Sequence, residues 1–176
     1  VASAQTLDEA DRRILARRAL ACAERVLPLF EGDEAAVQEL RDAAARTRAY
    51  SAGESTAAEE IAKRLVAVKA ARAATTPAGA AAARALAQAA AVAHMGAHAL
   101  GAAAYAVKAV SLASPEQPEA LQEEIRWQLA QLSERERTAL RRLPQLGSDS
   151  SGPLGEGLLS SGILGRTIRQ LQEEIA

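Results

Sequence analysis

Residues Ala85 to Val107 read ALAQAAAVAHMGAHALGAAAYAV, without one Asp, Glu, Lys or Arg. A run of about 20 apolar residues is long enough to span a bilayer, but the content of this one argues otherwise. It is mostly alanine, with Gln88, His94 and His98 inside it. Its only larger aliphatics and thioether are Leu86, Val92, Met95, Leu100 and Val107. Alanine contributes little to insertion and imidazoles oppose it. A helix that is uncharged all round, yet not a membrane span, has to be enclosed by other helices. The stretch therefore predicts the central helix of a helical bundle. Thr76-Pro77, a capping threonine with proline at the first helical position, marks its start, and it runs to about Ala113. Gly96 and Gly101 cost roughly 1 kcal/mol each inside such a helix, and close packing is the expected compensation.

Composition points the same way. Alanine, the best helix former, makes up about a quarter of the chain, while aromatics are 2%. Strand-forming residues are scarce, which excludes all-β and parallel α/β folds. At 176 residues the chain has the size of one domain. Lys and Arg total 21 and Asp and Glu 22, so the net charge is -1. No strongly basic domain is present to drive nucleic-acid binding. Cys22 is the only cysteine, which excludes an internal disulfide framework and suggests a reducing compartment. Residues 1–13 carry Asp8, Glu9 and Asp11 and no apolar run, unlike a signal peptide. The expectation is a cytoplasmic protein.

Outward from the central stretch the helix signals are regular. Thr6-Leu7-Asp8-Glu9 has capping-box spacing and predicts a first helix to about Phe30, with Pro28 disturbing its last turn. Asp33 caps a second helix to about Tyr50. A third spans about Glu54 to Ala74, with Ala58, Ile61, Leu65 and Val68 on one face. Ser114-Pro115 opens a fifth helix to about Gln131, and the capping box Ser133 to Glu136 opens a sixth to about Leu143. Together with a final segment these give an all-α, single-domain bundle of five to seven helices over residues 1–144. Residues 145–165, rich in Gly and Ser, read as a flexible linker reaching roughly 25 Å. Residues 166–176 continue an apolar stripe of Leu164, Ile168, Leu171 and Ile175. Their charges oppose the helix dipole, and so short a helix is marginal alone. It is expected to dock in a groove of its own chain or of a second copy, the latter giving a homodimer.

The concentrated candidate site is a stripe on the central helix. His94, His98, Gly101, Tyr105 and Lys108 step by 4, 3, 4 and 3, which places them in one sector. Three readings stand side by side. The polar groups are internally satisfied, as buried polar groups must be; or they line a groove for a partner or small ligand; or His94 and His98 bind a metal. The His-x-x-x-His spacing suits one ion, but Met95 stands where a zinc protease has its glutamate. A third ligand would have to come from Glu24, Glu59, Glu60 or another distant carboxylate. Cys22 has the character of a core residue. Trp127 reads as a core or rim anchor, or as a contact residue of an interface. The arginines Arg12, Arg13, Arg17 and Arg18 read as a solvated face. No phosphate loop, nucleophile elbow or paired-carboxylate motif occurs, so the reading is non-enzymatic, with no cofactor.

Ala93-His94-Met95-Gly96-Ala97-His98-Ala99, then Gly101 to Ala106 and Lys108-Ala109, resembles the bacterial Imm-five-like family of immunity proteins. So do Cys22-Ala23, Val26 to Glu31, and Arg126-Trp127-Gln128. The similarity covers about Ile14 to Leu143. It departs from the family at Arg48 to Gly53, where Tyr50 stands in place of a tryptophan. The resemblance implies a helical cytoplasmic protein that neutralises a toxin by binding it. It supplies no functional residues to carry over. The alternative is a small-molecule- or metal-binding protein using His94, His98 and Tyr105. Neither reading involves nucleic acid or a membrane.

Overall fold

The computed structural model describes residues 2–176, and they are all-helical. The helices are α1 (Glu9–Val26), α2 (Glu34–Ser51), α3 (Ala57–Ala62), α4 (Val66–Arg72), α5 (Pro77–Ala91), α6 (His98–Ala113), α7 (Glu119–Ala130), α8 (Glu134–Arg141) and α9 (Gly162–Ile175). Single 3-10 turns lie at Leu27–Leu29 and Leu158–Ser160. The number exceeds five to seven because two expected helices are each broken in two.

The central helix breaks at Val92 to Ala97, and the N-terminal segment explains why. The N–H groups of Gly96 and Ala97 donate to the carbonyls of Thr6 and Gln5 at 2.9 and 3.0 Å. A continuous helix would spend those donors on its own preceding turn. A β-carbon on Gly96 would lie 2.7 Å from Leu7 Cδ1 and 3.1 Å from the Thr6 carbonyl, so a side chain there would force Leu7 to shift. Leu7 itself is held at φ 62°, a conformation rare for a branched side chain. The first helix is accordingly capped later than its sequence suggests. Asp8, not Thr6, accepts the Asp11 N–H at 2.8 Å.

The second break, at residues 63–65, separates α3 from α4 and lets α4 rotate. Its inward face is Ala67, Ala70 and Ala71, while Leu65 and Val68, expected inside, are exposed. Small residues let helices approach closely, and α4 packs beside α2 and the alanine-rich α5. The start of α7 also moves. Pro118 disfavours helical geometry at Gln117, so the helix opens at Glu119 rather than at Ser114-Pro115. Asp33, Thr76 and Ser133 cap α2, α5 and α8 as their sequences indicate.

α5 and α6 pack as a pair, and α1 lies against both. α2 and α4 flank this layer on one side; α7 and α9 cover α6 on the other. Every residue from Ala99 to Val107 is buried. Among the described residues no helix is long and apolar enough to cross a membrane.

The stretch 145–165, expected as a linker, is instead packed. Leu154 and Leu159 are buried in the core. The fully buried Gln5 ties the stretch down: its Nε2 donates to Asp149 at 2.8 Å and to the Ser151 carbonyl at 2.7 Å, and its Oε1 accepts the Leu154 N–H at 2.8 Å. A glycine- and serine-rich composition marks turns as readily as tethers, and here two leucines decide the outcome. α9 follows with Leu164, Ile168, Leu171 and Ile175 all buried against its own chain. Gln172 fixes its end by accepting from the Leu146 N–H and donating to the Pro144 carbonyl, both at 2.9 Å.

Candidate functional site

The break between α5 and α6 rearranges the predicted stripe. His94 lies in the turn and is exposed, so it no longer shares a helix with His98. His98 opens α6 and is half-buried. Gly101, Tyr105 and Lys108 follow it along one face of α6, as the spacing requires. The antiparallel partner α5 supplies two residues the sequence reading missed. Gln88 Oε1 lies 2.8 Å from His98 Nδ1, so the neutral ring carries its proton on Nδ1 and donates it. Gln88 also fills the notch at Gly101, where a β-carbon would overlap the amide. Arg84, one turn earlier on α5, is close enough to Tyr105 to favour its phenolate. The signal for both was present: Arg84 and Gln88 are the only polar interruptions of α5, four residues apart.

Electrostatics sorts these groups. Burial, helped by the neighbouring His94, pulls the His98 pKa down to about 4, so the imidazole is neutral at physiological pH. Burial raises the Tyr105 pKa, and Arg84 works against it. Lys108 Nζ stands 6.0 Å from the centre of the Tyr105 ring, at the outer limit for attraction between a cation and an aromatic face. The seam between α5 and α6 thus carries an imidazole, an amide and two cations, with the Tyr105 ring buried behind them. Leu112, one turn beyond Lys108, is 42% exposed. Such a mixed surface can recognise a partner by hydrogen bonds and charge. It holds no nucleophile and base in hydrogen-bonding reach of one another.

The metal reading lacks a third ligand. Among the described residues no group of three His, Cys, Asp or Glu side chains is placed to hold an ion. The carboxylates considered from sequence are engaged elsewhere. Glu24 pairs with Arg48 at 2.6 Å, Glu59 closes the capping box of α3 with Thr56, and Glu60 is buried and accepts from Ser55 at 3.1 Å.

A second polar group lies on the far side of α1. The Arg25 Nε–H is shared between the two carboxylate oxygens of Glu124, 2.9 Å from each, and the Arg25 guanidinium stacks 4.1 Å from the centre of Trp127. Arg18, buried, donates to the Gln128 carbonyl and lies 5.8 Å from the same ring. Gln128 Nε2 in turn donates to the Ala103 carbonyl at 3.0 Å. Trp127 of α7 therefore packs against two arginines of α1, and Arg18 is not part of a solvated face. Arg13 likewise leaves that face: it stacks 4.5 Å from the Tyr50 ring and donates to the Tyr50 carbonyl. Cys22 is buried, and burial pushes its thiol up to about 11, far from the range of a reactive cysteine.

No curated protein and no solved structure matches the chain. A family model does, that of the Imm-5 like putative immunity protein, and the match spans residues 5–135.

Proposed function

The chain belongs to that family, and from this premise we propose that it is a non-enzymatic, cytoplasmic binding protein that neutralises a bacterial toxin by covering a site on it. The family match over residues 5–135 is the observation that carries the reading. Rigidity of a single-domain bundle would let the protein act by occlusion alone. We assign the contact to the outward seam of α5 and α6, with His98 and Lys108 from α6, His94 from the turn, and Arg84 from α5, while the buried Tyr105 supports them from within. Support for this choice is its make-up: two cations that form no ion pair among the described residues, a half-buried hydrogen-bonding imidazole, and Leu112 at the end of the stripe. Arginine is among the residue types enriched in binding hot spots.

The test is co-expression with candidate toxin domains from the producing strain. The wild-type chain should restore growth against one of them and co-purify with it. Arg84→Glu with Lys108→Glu should abolish both while leaving thermal melting unchanged. Full protection by that double variant would remove the seam from the interface. Killing by every one of them despite abundant wild-type chain would remove the immunity reading itself.

A further inference from the structure

α4 has two faces of opposite character. Ala67, Ala70 and Ala71 are buried. The opposite face presents Leu65, Val68, Lys69 and Arg72, whose spacing of 3, 1 and 3 keeps them on one side. Leu65 is 65% exposed and Val68 38%, two of four large aliphatics so exposed among the described residues. Lys63 and Arg64 stand in the turn immediately before them. From Lys63 to Arg72 there are four cations and no carboxylate. None of the four takes part in an ion pair among the described residues. The nearest upstream carboxylates are engaged elsewhere, Glu59 with Thr56 and Glu60 with Ser55 and Arg46. The dipole of α4 accounts for Lys69 and Arg72 in its last turn. It gives no reason for a leucine and a valine in water beside them.

The geometry points to a docking site for an acidic face of a protein partner on this corner. Leu65 and Val68 seat in an apolar depression, and Lys63, Arg64, Lys69 and Arg72 pair with carboxylates around its rim. Charge complementarity of this kind sets association rate and specificity. A protein fits better than the other anionic surfaces. The segment has no aromatic side chain on which a base could stack, and a net charge of -1 gives the chain no bulk attraction to a polyanion. Two aliphatics on a seven-residue helix bury too little apolar area to hold a lipid surface. The corner is a different surface from the α5–α6 seam, and its assignment does not depend on the partner's being a toxin.

Photo-crosslinking of the full chain in the producing cells tests this. A benzophenone amino acid is placed at position 65 or 68, and at the exposed Gln38 of α2 as the control. Positions 65 and 68, and not 38, should yield an adduct with one protein, and its crosslinked peptide should be rich in Asp and Glu. Lys69→Glu with Arg72→Glu should lower the yield about tenfold with melting unchanged. Lys63→Glu with Arg64→Glu, in the turn, should do the same as an independent reversal. The assignment is overturned if 65 and 68 label no more than 38, if the adduct is lipid or nucleic acid, or if neither reversal changes the yield. An acidic partner that is not a toxin would leave this site standing and would not bear on the α5–α6 assignment, which the toxin co-expression tests separately.

Discussion

His98 is the residue whose chemistry its place in the fold changes most. Its pKa of about 4 lies below the value near 6.5 that it has in the unfolded chain. Between those two values the unfolded state binds more protons, so stability falls as pH drops through this window. At full effect the loss is on the order of 3 kcal/mol. His98→Gln removes the titration. Wild type should therefore lose more melting temperature than the variant between pH 6.5 and 4.5, and parallel losses would show that the ring is not held neutral. Gly101 makes the same point through space. Leucine there would collide with Gln88 and approach Leu159, so Gly101→Leu should destabilise by about 1–3 kcal/mol, read by denaturant unfolding. The i, i+3, i+4 spacing made His98, Gly101, Tyr105 and Lys108 legible as one face. It could not reveal Gln88 or Arg84, which reach that face from another helix.

At the scale of elements, the starts at Asp33, Thr76 and Ser133 were legible, those at Thr6 and Ser114-Pro115 were displaced, and the breaks were not legible. Thr76, Asp33 and Ser133 announce helix starts because a short polar side chain meets free N–H groups within three residues. The break at Val92 to Ala97 depends on carbonyls of Gln5 and Thr6, some ninety positions away in sequence, and no local pattern encodes that. Gly96 was the only hint, and it reads equally as a packing notch. The C-terminal stripe was legible for the simplest reason, since Leu164, Ile168, Leu171 and Ile175 can all be buried only on a helix. Ile168 is fully buried, and Ile168→Ala should cost about 2–5 kcal/mol. Gly165 is the more discriminating site. Alanine normally favours a helix, but a β-carbon there would overlap the backbone of Ser160. Gly165→Ala should lower the melting temperature; an increase would mean that α9 does not sit against the preceding turn.

For the molecule as a whole, the family match and the core have different limits. The match ends at residue 135, while Leu143, Leu154, Leu159, Leu164, Ile168, Leu171 and Ile175 belong to the same buried cluster as Leu100 and Leu15. Truncation after residue 144 should uncover the side of α6 now covered by α9. The expected outcome is a product that binds a hydrophobic dye and melts at least about 10 °C lower, since several buried aliphatics are lost together. A truncated protein as stable as the full chain would show that α9 is dispensable. The all-helical class was readable from alanine content alone, but the way residues 145–165 are used was not, because Gly and Ser permit an ordered turn and a free chain alike. The clasp at Gln5 has one more consequence, in time rather than in space. Its amide accepts from Leu154 across 149 positions, and such distant contacts form late because the loop entropy is lost before the contact is gained. Folding should then proceed with α5 and α6 paired early and one flank of α6 bare. That leaves a sticky intermediate which closes only when residues 145–175 arrive, and a chaperone that shields apolar helices would find its substrate in that interval.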